Sequence, residues 1–284
     1  MIAIAIALAL AAAVVHGTWN VLVKVSGDPM RTFYRATLIA SLVITPPTFI
    51  GWLVVGRPGM PWAAVGLAAV SAVLELAYLF LLSAAYSRGE LSVVYPIARG
   101  SAPLLSVLIG LGLLGERLAP PQLLGVGLLL LGILAVTIPQ TSGRATLPAL
   151  LTGVSIAAYS AVDRVGVRLT EPWLYGWLLV ALLAVGLVVS RAVVPRLIGR
   201  PVISQGTPIA WRQAVVIGIF MWGGYLLVLL ALNLAPLSVV APVRETAIVA
   251  VAVWGVWKLR ERRAAPLKLA GALATLAGVA LLAL

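Results

Sequence analysis

The chain of 284 residues has no cysteine and a single histidine, His16. The first absence excludes disulfides, thiolate metal sites and cysteine nucleophiles, and the second excludes a metal centre built on several imidazoles. Charge is scarce too. Only 10% of the residues are charged, and acids are outnumbered by bases, 8 to 20; a soluble domain is about a quarter charged. There is no G-x-x-x-x-G-K-[ST] loop, so ATP is not a direct energy source. Alternating strands of barrel type are absent as well, and no cofactor is expected.

What is present is oil. The composition is 62% hydrophobic with a mean hydropathy of +1.13, too apolar to cover a protein surface with polar groups, so the implied solvent is a lipid bilayer. The net charge of +12 does not suggest a nucleic-acid partner. Its carriers sit at the ends of apolar runs: Arg196, Arg200 and Arg212, then Lys258, Arg260, Arg262 and Arg263. That placement suits juxtamembrane anchors facing anionic headgroups. At the start, no basic segment precedes the apolar residues 2–15, and the apolar character continues to Val23, which favours an uncleaved first span over a signal peptide.

Polar breaks divide the chain into spans of 20 to 25 residues, about what a hydrocarbon core of ~30 Å requires. Expected spans are 2–24, 33–55, 62–86, 91–114, 119–138, 147–168, 173–194, 211–233, 237–258 and 265–284. The expected fold class is therefore an all-α membrane protein of ten transmembrane helices. The polar stretch 139–146 reads as a linker, and 195–210, with Pro195, Pro201 and Pro208, as a surface loop.

The two sides of that linker resemble each other. Leu91-Ser92-Val93-Val94-Tyr95-Pro96 returns as Leu237-Ser238-Val239-Val240-Ala241-Pro242. Leu114, Glu116, Arg117, Ala119 and Pro121 return as Leu259, Glu261, Arg262, Ala264 and Pro266; more weakly, Trp19, Asn20 and Lys24 match Tyr159, Ser160 and Arg164. Repeats at 1–143 and 144–284 follow. Five helices is an odd number, so the second copy enters the membrane inverted, as in many secondary transporters whose sites lie between copies. The basic residues divide unevenly between the two faces. Arg57, Arg117, Arg164 and Arg168 are the ones on the side of the termini, which predicts both termini outside.

A charge at a helix centre costs roughly 2.5–3.5 kcal/mol on insertion scales, so the buried charges are the candidates for function. They are Glu75, Arg99, Asp163 and the pair Arg244-Glu245. Arg99 and Glu245 occupy equivalent places, three residues after Pro96 and Pro242, and can meet across a pseudo-two-fold axis. Such a pair is either a structural bridge or a clamp on charged substrate groups. Glu75 is a candidate proton-coupling carboxylate, or a partner of Arg99, Arg244 or a neighbouring helix. Asp163 is expected to pair locally with Arg164. Trp19, Tyr78, Tyr95, Trp222 and Tyr225 recur near one level, either as interface-belt residues or, for the deeper Tyr78 and Tyr95 above all, as a cavity wall; aromatic walls with one or two charges suit amphipathic metabolites such as amino acids. His16 and Asn20 share a face of the first helix, which either bonds another helix or lines a water path. Pro96, Pro103 and Pro242 loosen their helices. Gly110, Gly112, Gly125, Gly127 and Gly132 read as close-packing positions.

The order of these motifs resembles the EamA-type members of the drug/metabolite transporter superfamily. The matching residues are Trp19, Asn20 and Lys24 in the first helix, Arg35 opening the second, Pro96, and Gly115-Glu116-Arg117, repeated as Pro242 and Glu261-Arg262. The resemblance implies a secondary transporter of a small organic metabolite, often an exporter, with a central cavity formed by both halves, and no enzymatic activity. The site residues are then Arg99, Arg244, Glu245, Glu75, Tyr78, Tyr95, Trp19, Asn20 and His16, with protons as a candidate coupling ion. It also implies termini in the cytoplasm, against the arginine distribution, and a place in a bacterial inner membrane. A different class, a membrane enzyme or flippase acting on a lipid-linked substrate, would need a nucleophile with a base or clustered ligands, which these scattered carboxylates do not offer.

Overall fold

The computed structural model describes residues 1–88, 91–137, 145–198, 209–247 and 265–282, and those residues form ten helices with no strand. In chain order they are α1 (Ile2–Val25), α2 (Pro29–Val54), α3 (Trp62–Tyr86), α4 (Leu91–Gly112), α5 (Pro120–Thr137), α6 (Thr146–Gly166), α7 (Pro172–Ile198), α8 (Trp211–Leu234), α9 (Leu237–Arg244) and α10 (Ala265–Leu282). Seven are long and apolar enough to cross a membrane: α1, α2, α3, α6, α7, α8 and α10. Within α4 and α5, Ile97–Gly112 and Pro120–Ala135 are shorter apolar helices. The expected span 237–258 is described only to Ala247; its remainder, with Lys258, Glu261 and Arg262, lies outside the described residues, as do the expected linker at 138–144 and the connection 199–208.

Two boundaries differ from the sequence reading by four residues; apart from the end of α9, the other described ones differ by two at most. Helix α2 begins at Pro29 instead of residue 33, because the Asp28 side chain accepts the Arg31 N–H (3.0 Å) while proline occupies the first turn. Arg35 therefore lies inside this helix, where it donates to the Ile209 carbonyl at 2.9 Å. Pro195 does not belong to a loop: α7 continues through it to Ile198.

Leu42, Val73, Leu108, Leu131 and Val185 are exposed on helix surfaces, where a bilayer would cover them. Trp62 and Trp211, also exposed, open α3 and α8 as headgroup-level anchors do. Inside, helices pack in pairs that survive exchanging each helix of the first five for its counterpart five places on. α1 packs on α8 as α6 packs on α3, and α2 packs on α8 as α7 packs on α3. α4 packs on α6 as α9 packs on α1, while α2–α7, α4–α9 and α5–α10 are pairs of counterparts. The space these contacts enclose is the candidate site.

Some glycines set how close the helices come. On α5, a Cβ at Gly132 would collide with Thr275 Oγ1 and the Gly271 carbonyl, and one at Gly125 would lie 2.9 Å from the Gly278 carbonyl. Gly112 and Gly127, read as packing positions from sequence, have nothing within 4 Å of a built Cβ. Among the described residues, no neighbouring helix packs against either.

Candidate functional site

Six helices, three from each half, enclose a cavity whose empty space, mouth included, is about 540 Å³. From α1 come His16 and Trp19, from α2 Thr37 and Ala40, and from α3 Glu75, Tyr78 and Leu79. The second half contributes Tyr159 (α6), Val180 and Leu183 (α7), and Met221, Trp222 and Tyr225 (α8). Five residues of the first set correspond to five of the second. Pro29 opens α2 and Pro172 opens α7; counted from them, Thr37 and Val180 hold one position, and Ala40 and Leu183 another. Trp19 and Tyr159 are partners in the sequence repeat. Glu75 and Leu79 fall 146 residues before Met221 and Tyr225, the separation of Arg99 and Glu245.

The wall is aromatic. Tyr159 meets both Tyr78 and Tyr225 edge to face, each at 5.8 Å between ring centroids, and Trp19 lies against His16 at 5.9 Å. Edge-to-face pairs of this kind add about 0.5–1.5 kcal/mol beyond the area they bury.

Behind Trp19 lies an ionic cluster. Glu245 Oε1 accepts from Arg99 Nη1 at 3.2 Å and from Arg244 Nε at 2.9 Å, and all three side chains are buried. Arg244 Nη1 reaches Ser160 at 3.4 Å, and the Arg99 guanidinium sits 5.9 Å from the ring centroids of Trp19 and Tyr95. The Arg99–Glu245 contact is the one their equivalent positions imply. One carboxylate serves two guanidiniums, leaving an excess positive charge. Nη2 of each arginine is buried with no hydrogen-bond partner among the described residues.

Asp163 corrects the sequence reading. It makes no pair with Arg164 among the described residues; it is fully buried, accepting from the Tyr175 hydroxyl (2.7 Å) and from the Tyr225 hydroxyl. Adjacent residues on a helix do not face each other. Arg164 points instead to Glu116 (3.3 Å) and to the Leu232 carbonyl. Glu116 closes a second cross-half contact: its carboxylate accepts Leu237 N–H (2.7 Å), Ser238 N–H (2.9 Å) and Ser238 Oγ–H (2.7 Å) at the start of α9. Gly115, at φ +64°, turns the chain so that Glu116 can reach. Gly110 leaves the carboxylate room, since a Cβ there would strike Glu116 Oε2.

The remaining sequence candidates fall in different places. Asn20 does not line the cavity; its Oδ1 accepts the Tyr86 hydroxyl at 2.8 Å and its Nδ2 donates to the His16 carbonyl, tying α1 to α3. His16 lines it, with Nδ1 2.9 Å from the Ala12 carbonyl. Tyr95 is buried beside Arg99 and outside the lining. Glu75 forms no ion pair with Arg99 or Arg244 and faces the cavity next to Tyr225. Sequence reasoning named Asp163 but gave it the wrong partner, and did not single out Tyr175 or Thr37. Tyr159 was legible as the repeat partner of Trp19.

Long apolar helices around an aromatic cavity with buried charges define a multi-pass integral membrane protein. Residues 3–138, just under half of the chain, match the EamA-like transporter family. No curated protein matches the chain. Twenty-four chains of solved structure do. One, a crystal structure titled only as that of a protein, has 16% identity and a TM-score of 0.69, over 98% of this chain and 95% of its own. At that identity the likeness shows the fold alone.

Proposed function

We propose that the chain is a secondary active carrier that moves a small organic metabolite, an amino acid or related compound, across a bacterial cell membrane by alternating access, in the export direction. Ten spans arranged as two inverted five-helix repeats, 1–143 and 144–284, form its single transmembrane domain. The observation that carries this reading is the cavity itself, assembled from matched positions of the two halves. A site on a pseudo-symmetry axis can open to either face by the same rocking motion.

The substrate contacts are Trp19, Tyr78, His16 and Glu75 in the cavity, with Arg99, Arg244 and Glu245 behind the aromatic wall. Tyr95 and Asn20 support that wall from behind. An anionic group of the solute meets the unpartnered guanidinium nitrogens when the wall opens. The test is counterflow in proteoliposomes for solutes found by a toxicity screen in overexpressing cells. Preloaded solute accelerates uptake only through a carrier that cycles between faces. Arg99→Ala and Glu245→Gln proteins that carry the solute at the parental rate would remove these residues from the site.

The Glu116 contact with α9 is then the clasp that holds one end of the cavity closed. Charge-assisted hydrogen bonds contribute about 1.5–3 kcal/mol each. Weakening the clasp with Glu116→Gln is therefore expected to shift the balance of conformers at least about ten-fold. Gly110→Ala, which displaces the same carboxylate, acts in the same direction. Limited proteolysis and exchange rate both read the shift; parental values in both variants would leave Glu116 as a helix cap alone.

A further inference from the structure

The ionic cluster behind Trp19 is short of one negative charge. Arg99, Arg244 and Glu245 each expose only 2% of their surface, and Glu245 Oε1 serves both guanidiniums, Arg99 Nη1 at 3.2 Å and Arg244 Nε at 2.9 Å. Duplication identifies the surplus. Arg99 and Glu245 are repeat partners and would balance each other alone, whereas Arg244 has Ala98 at its equivalent position, so no acid in the other half answers it. Its other hydrogen bond among the described residues, to the Ser160 hydroxyl at 3.4 Å, brings no charge.

The other acids do not take that place. Asp163 receives the hydroxyls of Tyr175 and Tyr225, Glu116 receives Arg164 and the start of α9, and Glu75 lines the cavity. None of them forms an ion pair with either guanidinium among the described residues. The unfilled hydrogen bonds show what kind of group is missing. Nη2 of Arg99 and Nη2 of Arg244 are buried without a partner, and so is the indole N–H of Trp19, whose ring centroid lies 5.9 Å from the Arg99 guanidinium. All three can only donate. No carboxylate or amide oxygen is stranded in this way among the described residues. Stranding a buried donor is costly, and more so when it is charged, so the shortfall calls for an acceptor that carries one negative charge.

We propose that the protein holds a small monovalent anion, a halide such as chloride, against the guanidiniums of Arg99 and Arg244 as the resident counter-ion of this cluster. A monatomic anion accepts hydrogen bonds from any direction, so it needs no planar match to either guanidinium. It neutralises the charge that Arg244 adds and leaves the Arg99–Glu245 bridge intact. The site stands without any assumption about transport. Its consequence for transport rests on the carrier reading above: an anionic group of a solute that passes the aromatic wall takes the place of the halide, so the two exclude each other at these nitrogens.

Thermal melting of the purified protein in detergent tests this, with chloride replacing gluconate at constant ionic strength so that screening does not change. The parent's midpoint should rise saturably, by about 3 °C. Arg244→Met, which keeps the balanced Arg99–Glu245 pair, should lose that rise; if this variant does not fold, Arg99→Met is read in the same way. Bromide should act as chloride does, and sulfate less, because a second charge costs more to desolvate. Acetate separates the two sources of negative charge. A parent that responds to acetate and not to chloride contradicts the halide and leaves the nitrogens to a solute's carboxylate. A midpoint indifferent to every anion, or a chloride response that persists in the arginine variant, overturns the site. Counterflow in a protein with no chloride response removes the counter-ion and keeps the carrier reading; a chloride response without counterflow removes the carrier reading and leaves the anion site standing.

Discussion

Replacing Glu245 with alanine is expected to lower the stability of the folded protein by about 3–5 kcal/mol, the usual cost of stranding a buried ionic partner. Here the removal strands two. Arg99 and Arg244 both bond to Glu245 Oε1, and neither guanidinium has another carboxylate among the described residues. The loss should appear as a lower melting midpoint in detergent and as poor recovery from membranes. Substituting Arg99 with methionine should cost less. It leaves Glu245 with Arg244 at 2.9 Å and turns an over-charged triad into a neutral pair. The order of the two effects is the informative part. If both variants melt at the parental temperature, the cluster does not hold α4 to α9.

The second large effect lies where α5 meets α10. A Cβ at Gly278 would stand 2.6 Å from the Gly125 carbonyl and 2.8 Å from the Leu129 amide nitrogen, and one at Gly132 would strike Thr275 and Gly271. Apart from the Thr275 hydroxyl, the closest of these neighbours are backbone atoms and cannot swing aside. Overpacking costs typically 1–3 kcal/mol, so Gly132→Val combined with Gly278→Val should separate the two helices and lower the melting midpoint sharply. Gly127→Val, on the same helix as Gly132 but facing open space, is the control and should change stability by no more than about 0.5 kcal/mol. Equal effects from Gly127→Val and Gly278→Val would contradict the close approach.

Most of the architecture could be read from the chain because lipid imposes a length and a composition on every span. The third span, 62–86, matches Trp62–Tyr86 residue for residue. Boundaries drifted where polar residues continue a helix: Arg31 and Thr32 hid the start of α2, although Asp28-Pro29 carried the capping signal. Pro195 read as a stop because proline breaks a ladder, yet its helix runs three residues further. The Arg99–Glu245 contact was legible through duplication, which converts a separation of 146 residues into spatial adjacency.

Asp163 was not legible by the same reasoning. Its neighbour Arg164 offered an apparent partner, but helical residues one apart diverge by about 100°, and the two side chains point to different helices. Arg244 and Glu245 do bond, because Glu245 stands past the last turn of α9 and is free of helical geometry. The general lesson is local: adjacency in a helix interior argues against a contact, and adjacency at a helix end permits one.

The most direct measurement exploits the absence of cysteine from the chain. Thr37→Cys on α2 and Met221→Cys on α8 place one thiol in the cavity from each half, and Leu108→Cys places one on the lipid-facing surface of α4. Membrane-impermeant maleimide is then applied from either face of sealed, oriented vesicles. The account predicts that both cavity thiols are labelled from each face in turn while the Leu108→Cys thiol stays unlabelled. Cavity thiols that react from one face alone, or from neither, over hours of exposure would contradict a carrier whose shared cavity alternates between the two sides.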